Sequence, residues 1–370
     1  MKITDIKVNR VSIPLKKVMR VSHISMAFND AVLVTITTDE GIVGVGESSP
    51  LTKYTKSTPG SVYSVIKENL APSLMGLDPT EVELCLKIMK ETLVKDTFLE
   101  AIAAVEVALM DISAKSLNVP VYRLIGGKYS EKVPQIGWIG LDKPDAMAMD
   151  AQKVINQGFK TLKIKLAGNE DDVERVKRIK EVSGSLDVRA DANESYLKPS
   201  LLKKLDRLEL SLIEQPGPRD DLQFFSDAAK FMDTPLMLDE SAATPTDILR
   251  IIELRAADIV KLKLMRQGGL LMSKKCAHLL EAADIPCVVG HGFNLLTGAL
   301  SELHLAASLP NLLGACEIGG PFDKMTDDVV DGDLMIDNGD MAVGNSKGLG
   351  VSINHHKLEQ HTTDSCEIKI

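Results

Sequence analysis

The chain has 370 residues, enough for a large core and roughly two domains, and its 44% apolar and 26% charged content is that of an ordinary soluble globular protein. A formal net charge of −9 with no basic block argues against a nucleic-acid partner, and no apolar run approaches the ~20 residues that span a bilayer. The amino terminus, MKITDIKVNR, lacks an apolar signal core, and the five scattered cysteines form no C-x-x-C pair, so the expectation is a cytoplasmic protein with no membrane partner, no disulfide framework and no thiolate zinc site.

Residues 31–47, AVLVTITTDEGIVGVGE, alternate apolar and polar positions about a Gly-containing turn and predict a hairpin. Residues 60–118 place apolar side chains at three- and four-residue intervals, in SVYSVIKENLAPSLMG and again in TFLEAIAAVEVALMDISAKSL, and predict helices. The first ~125 residues therefore read as an α+β unit. Beyond residue 133 short apolar runs recur about every 25 residues, each followed by a charged helical stretch. The runs are VPQIGWIG (133–140), TLKIKL (161–166), LDVRAD (186–191), LSLIEQ (210–215), PLMLDE (235–240), DIVKLKL (258–264), PCVVGH (286–291) and LLGACEI (312–318). Eight such β-α units predict a closed (β/α)8 TIM barrel. An open doubly wound sheet fits less well, because no G-x-G-x-x-G or P-loop follows the first run.

In a barrel of this kind the site lies at the carboxyl ends of the strands, and the ionisable residues fall there. They are Lys163 and Lys165, Asp191 with Asn193 after it, Glu214, Asp239 and Glu240, Lys261 and Lys263, His291, and Glu317. Any one acid at a strand end is more often a helix cap or a solvated loop residue. The coincidence over successive strands is what carries weight. Asp191, Glu214 and Asp239 would converge at one mouth and repel unless a cation held them. Hard oxygen donors without a thiolate or a histidine cluster predict Mg²⁺, with Mn²⁺ as a substitute. Residues two apart on a strand share a face, so Lys163 and Lys165 point together, as do Lys261 and Lys263. Runs two and six lie opposite each other in a ring of eight, which sets a lysine on each flank of the metal. Such a lysine can have its pKa lowered enough to act as a base. For Lys261 the plainer reading, a salt-bridge partner of the barrel carboxylates, is preferred.

Six motifs in this order and spacing resemble the muconate-lactonizing subgroup of the enolase superfamily, the mandelate racemase/muconate lactonizing enzyme family. They are K-x-K in LKIKLAG, DAN in RADANESY, IEQP, LDES, KLKLMRQGG and CEIGGPF. The resemblance spans nearly the whole chain. It implies a modified (β/α)8 barrel over residues 126–325 with an N-terminal α+β capping domain over 1–125 and a C-terminal segment, 326–370, packing back on the cap. It implies that Asp191, Glu214 and Asp239 bind Mg²⁺, that Lys165 and Lys263 are the acid/base pair, and that Lys163 tunes Lys165 and contacts the substrate carboxylate. Asn193 and Glu240 would support the metal. The chemistry implied is abstraction of a proton alpha to a carboxylate, and relatives form dimers or octamers, so a homo-oligomer is expected.

Run eight has one acid, Glu317, followed by Ile318 and Gly319, where dipeptide epimerases carry Asp-x-Asp. That resembles N-acylamino acid racemases and muconate cycloisomerases more closely, although GESSPLTKYT (46–55) is similar to the cap loop of dipeptide epimerases. Run seven has Asn294 where relatives carry a Glu, and His291 is either a hydrogen-bonded wall residue, a substrate contact or a third acid/base. The cap loops supply His23 and Tyr54, with Arg20, Lys53 and Lys56, as candidates for the distal end of the substrate. The expected substrate contacts are thus Lys163, His23, Tyr54, His291, Asn294 and Glu317. The expected function is a Mg-dependent racemase or epimerase of a small-molecule carboxylate, an N-acylamino acid or a dipeptide. The alternatives are a muconate-type cycloisomerase and a hydroxy-acid or hydroxyproline-type dehydratase. A Schiff-base aldolase and a non-catalytic barrel fit poorly with three convergent carboxylates.

Overall fold

A computed structural model describes residues 1–21, 24–319 and 324–370, with backbone alone for Arg20, Val21 and Ile24. The chain opens with β1 (Ile3–Val21), β2 (Ile24–Thr38) and β3 (Val43–Ser48), an antiparallel meander. The expected hairpin is there: Val32 pairs with Ser48 and Thr37 with Val43, about a turn in which Gly41 takes a φ of 76°. Helices at Pro59–Val65, Val82–Glu91 and Leu99–Ser116 follow.

The last of these is buried at every position from Glu100 to Ala114, because β3 flanks it on one side and the barrel on the other. It seats on β3 at glycines. A Cβ on Gly44 would stand 2.2 Å from the Ala108 carbonyl oxygen, and one on Gly46 would stand 1.9 Å from that of Ala104. Its acids face polar backbone. Glu106 accepts the N–H groups of Leu270 (2.8 Å) and Leu271 (2.9 Å), at the start of helix Leu270–Ala282. Asp111 accepts those of Val45 (3.0 Å) and Leu349 (2.8 Å). Glu106 thus ties the cap to a helix end of the barrel, and Asp111 ties the cap helix to β3 and to the C-terminal segment.

After β4 (Lys132–Pro134) come seven parallel strands, each bonded to the next in sequence: β5 (Ile136–Ile139), β6 (Thr161–Lys165), β7 (Asp187–Asp191), β8 (Leu212–Glu214), β9 (Leu236–Leu238), β10 (Ile259–Leu262) and β11 (Cys287–Val289). Run eight forms no regular strand. It closes the ring by single bridges: Leu313 N–H donates to Cys287 O (2.8 Å) on one side, and Ile136 N–H donates to Cys316 O (2.9 Å) on the other. Gly314, with φ 53°, interrupts it. The fold is a modified TIM barrel with an N-terminal capping domain. One barrel helix starts at a clear sequence cap. Thr244 and Asp247 make a capping box ahead of Pro245–Leu254, with Pro245 in the first turn.

Side-chain parity organises the barrel interior. Leu212, Met237, Ile259 and Val288 form a small apolar cluster with Leu313 packed on it. Two residues further along the same strands stand Glu214, Asp239 and Lys261. Lys163 and Lys165 share this inward face, whereas Leu162 and Ile164 turn outward into the main core. The chain then makes β12 (Val330–Gly332), β13 (Ile336–Asp337), β14 (Asp340–Ala342) and β15 (Val351–Ile353), and ends in β16 (Thr362–Lys369), which pairs antiparallel with β1 from Asp5 opposite Lys369. Among the described residues no helix is long and apolar enough to cross a membrane.

Candidate active site

Register brings the charges together. Lys165 pairs with Asp191 and Asp191 with Glu214 across β6, β7 and β8, while Asp239 and Lys263 each lie one residue past β9 and β10. Lys165 Nζ donates to Asp191 Oδ2 (2.6 Å) and Asn193 Oδ1 (2.8 Å). Lys163 Nζ stands 2.9 Å from Asp191 Oδ2, 2.7 Å from Glu214 Oε2 and 2.7 Å from Glu317 Oε2. Lys261 Nζ donates to Glu214 Oε1 (3.1 Å) and to Glu317 Oε2. Lys263 Nζ donates to Asp239 Oδ2 (2.6 Å), and the Arg266 guanidinium takes both the Asp239 carbonyl (2.6 Å) and its Oδ1. All of these groups are buried except Glu317, which is partly exposed.

Burial works against every one of these charges, and the partners decide the outcome. Asp191 is held below the ordinary range by Lys163, Lys165 and Lys261. Asp239 lies well below it through Arg266 and Lys263, and Glu317 through Lys163 and Lys261. Glu214 goes the other way, raised by burial and by the charge of Asp191. Lys163, among three carboxylates, is raised well above 10.5. Lys263 is lowered: burial dominates, its one close carboxylate is shared with Arg266, and the positive charges of Arg266 and Lys261 push the same way.

The expected metal ligands occupy adjacent strands, but ammonium groups lie between them. Among the described residues no three acidic, histidine or cysteine side chains stand close enough to enclose one ion. The donor chemistry nonetheless suits a hard dication. It consists of buried carboxylates, and among the described residues Glu214 Oε2 and Glu240 Oε2 accept no hydrogen bond. For Glu214 Oε2 the 2.7 Å approach of Lys163 is an ion pair without hydrogen-bond alignment. Asn193 Nδ2 donates to Glu240 Oε1 (3.1 Å), and burial with the Asp239 charge pushes Glu240 up to about 7. Asn193 and Gln215 both take left-handed backbone, with φ of 40° and 38°, strain that the surrounding bonds hold in place.

A cavity of about 30 Å³ lies over the cluster, bordered by Leu51 and Tyr54 of the cap and by Trp138, His291 and Phe293 of the barrel. A larger cleft, about 290 Å³ between Lys90 and Met272, contains none of the paired lysines and carboxylates and is set aside for that reason. Of the expected substrate contacts, Lys163, Tyr54, His291 and Glu317 border the cavity. Asn294 does not; it packs on Gly298 in the first turn of helix Leu296–Ala307. His23 lies outside the described residues.

The sequence reading missed several groups. Arg266 sits on Asp239. Gln215 Oε1 accepts the Asp239 N–H (2.9 Å) and Gln267 Oε1 the Lys263 N–H (2.7 Å), each fixing the backbone of a site residue. All three fall inside the motifs IEQP and KLKLMRQGG, which was the available signal. Glu47 falls inside GESSPLTKYT, and Glu302 lies in no such motif. Glu47 accepts the N–H groups of Leu295 (2.7 Å) and Gly298 (2.7 Å), and Glu302 that of His291 (3.1 Å), so both hold the loop after β11.

Residues 3–126 match the family described as Mandelate racemase/muconate lactonizing enzyme, N-terminal domain, and residues 146–357 match Enolase C-terminal domain-like. The chain belongs to the mandelate racemase/muconate lactonizing enzyme family. It is an isomerase of the enolase superfamily. It is 33% identical over 368 residues to an N-succinyl-L-Arg/Lys racemase of Bacillus cereus, covering 98% of each chain. The crystal structure of the N-succinyl Arg/Lys racemase of that organism superposes with a TM-score of 0.95 over 100% of both chains at 31% identity. A dipeptide epimerase of Cytophaga hutchinsonii, complexed with Mg and the dipeptide D-Ala-L-Val, superposes with a TM-score of 0.93 over 100% of both chains at 25% identity.

Proposed function

We propose that this enzyme racemises or epimerises an amino acid derivative by moving the proton alpha to its carboxylate between Lys165 and Lys263. The observation that carries the reading is the placement of these lysines. They sit on β6 and just past β10, with three strands between them on one side and β11, the run-eight segment and β5 on the other. Both border one cavity. A planar carbon held between them can lose its proton to one lysine and regain one from the other, which inverts it.

Lys263, with its lowered pKa, is suited to reach the neutral form that takes a proton. Lys163 stays an ammonium and places positive charge where the carboxylate of the substrate gains negative charge. Asp191, Glu214 and Asp239 would hold Mg²⁺, or Mn²⁺ in its place, with Asn193 and Glu240 beside them. When bound, such a cation supplies charge that stabilises the enolised carboxylate. On this reading residues 1–125 cap the site, 126–325 carry it and 326–370 brace the cap. Lys163 and Lys261 both pair with Glu317 Oε2, so a substrate ammonium would compete with two lysines for this carboxylate. That favours an N-acylamino acid over a dipeptide.

Proton NMR in D₂O with Mg²⁺ tests the proposal on N-acyl amino acids, dipeptides and muconates, with Lys165→Ala and Lys263→Ala beside the wild type. Deuterium entering Cα with inversion, lost in both variants, is the expected result. A product lacking the α-proton, or turnover that survives loss of one lysine, would move the reading to a dehydratase or a cycloisomerase.

A further inference from the structure

His291 is buried, yet one of its ring nitrogens has no partner among the described residues. Nε2 lies 2.9 Å from the carbonyl oxygen of Ser49, at the end of the cap strand β3. A carbonyl only accepts, so Nε2 carries the hydrogen. Nδ1 is buried and has no hydrogen-bond partner among the described residues. The ring borders the same cavity as Lys165 and Lys263, and its edge-on packing against Phe293 (centroids 6.3 Å apart, planes at 63°) fixes its plane.

The ring is also held from outside. Its own backbone N–H goes to Glu302, the following loop is tied to Glu47, and the carbonyl of Phe293 accepts from Asn29 Nδ2 (2.8 Å). A half-turn of the ring would keep its plane but put Cε1 in place of Nε2 against the Ser49 oxygen, losing that bond. A second proton on Nδ1 would put an unpaired imidazolium in a buried site facing Lys263 and Arg266. Burial and those two charges lower the His291 pKa to about 3, with Asp239 and the Ser49 hydrogen bond opposing.

We propose that His291 is a neutral, Nε2-protonated histidine whose Nδ1 accepts the N–H on the α-nitrogen of the substrate. This rests on the amino acid reading above and goes further, because it gives the site a means of recognising an uncharged nitrogen donor. An ammonium would reach this neutral acceptor only after losing its water, beside two lysines. The same geometry removes His291 as a third acid: its one hydrogen is committed to Ser49, so it has none to give a departing hydroxyl.

Two measurements test it. The first needs no substrate. With ¹⁵N-histidine-labelled protein at neutral pH, and His291→Phe to assign the signal among the seven histidines of the chain, the expected pattern is one neutral ring protonated at Nε2. An Nδ1–H tautomer or an imidazolium overturns the proposal whatever the enzyme turns over. The second swaps the atom on the ligand. An N-acetyl amino acid is compared with the O-acetyl 2-hydroxy acid of the same side chain, by calorimetric binding and by α-proton exchange in D₂O.

The wild type should prefer the N–H compound by roughly 10- to 100-fold, the size of effect when a buried acceptor is left unsatisfied. In His291→Phe the two compounds should become equal, and His291→Asn should restore part of the preference. An equal preference in wild type and His291→Phe refutes the contact even if both fold and work. If N-acetyl amino acids bind with the expected preference but exchange no α-proton, the racemase reading fails and the His291 contact stands.

Discussion

Gly46→Ala should cost more than any other single methyl added to the cap. The new Cβ would stand 1.9 Å from the Ala104 carbonyl oxygen and 2.8 Å from the Ala108 nitrogen, where an ordinary contact is 3.4 Å or more. Both neighbours are backbone of the buried helix Leu99–Ser116, so no side chain can turn aside. The helix must retreat from β3 by about 1.5 Å, the difference between those distances. A retreat of that size breaks the 3.0 Å bond from Val45 N–H to Asp111. Overpacking costs about 1–3 kcal/mol and a buried charge-assisted hydrogen bond about 1.5–3, against roughly 0.5–1 regained from the lower chain entropy of alanine. The expected net loss is about 3 kcal/mol, read by urea denaturation followed by circular dichroism. Gly60→Ala is the control: its nearest neighbour would be 3.9 Å away in the first turn of Pro59–Val65, and it should be neutral or stabilising by up to about 1 kcal/mol. Because β3 leads directly to Glu47 and Ser49, Gly46→Ala should also reduce α-proton exchange. A loss under about 0.5 kcal/mol, with exchange unchanged, would refute the claim that backbone contact sets the cap on the barrel.

Three further outcomes follow from the site. Burial raises the Glu302 carboxyl to about 8, so the folded chain holds a proton there that the unfolded chain releases near pH 4.5; stability should fall as pH climbs from 4.5 to 8, and Glu302→Gln should flatten that slope, identical slopes counting against the account. Millimolar Mg²⁺ should raise the melting temperature of the wild type by mass action but not that of Glu214→Gln, and an equal shift in both would remove Glu214 from the ligand set. Trp138 is the sole tryptophan and borders the cavity, so saturating the site with an N-acetyl amino acid should change its emission; an unchanged spectrum on calorimetrically proven binding would place that ligand elsewhere.

The charged side of the barrel was legible because strand parity is strict. Lys163 and Lys165 two apart, above apolar residues on neighbouring strands, could only face one interior. Run eight was misread as a strand because its apolar pattern is strand-like, while Gly314 lets it bridge both neighbours without a ladder of its own. Asn294 was assigned to the site by alignment of motifs, but the loop after β11 turns it onto the first turn of the next helix. Glu47, Glu106 and Glu302 were invisible for another reason. Each partners backbone N–H groups outside its own element, and such donors leave no residue-type signature. Arg266 and Gln267 were quoted inside a motif without a role, since their targets, Asp239 and the Lys263 backbone, come from the preceding barrel unit and the site itself.

The pairing of β16 with β1 bears on how the chain reaches this fold. β1 is an edge strand until β16 lies against it, and β16 is made only after the whole barrel. During synthesis the cap meander must therefore wait with the Asp5–Val11 stretch of β1 unpaired on one side. Burial of Ile6, Val8 and Val11 leaves Lys7 exposed and Arg10 half-buried along that stretch, and charge there discourages pairing with another nascent chain. Asp5 and Lys369 sit opposite each other, so the two ends meet in space. A circular permutant joined there and opened in an exposed barrel loop would make the four cap strands contiguous, and it should complete its cap sheet before the barrel rather than after.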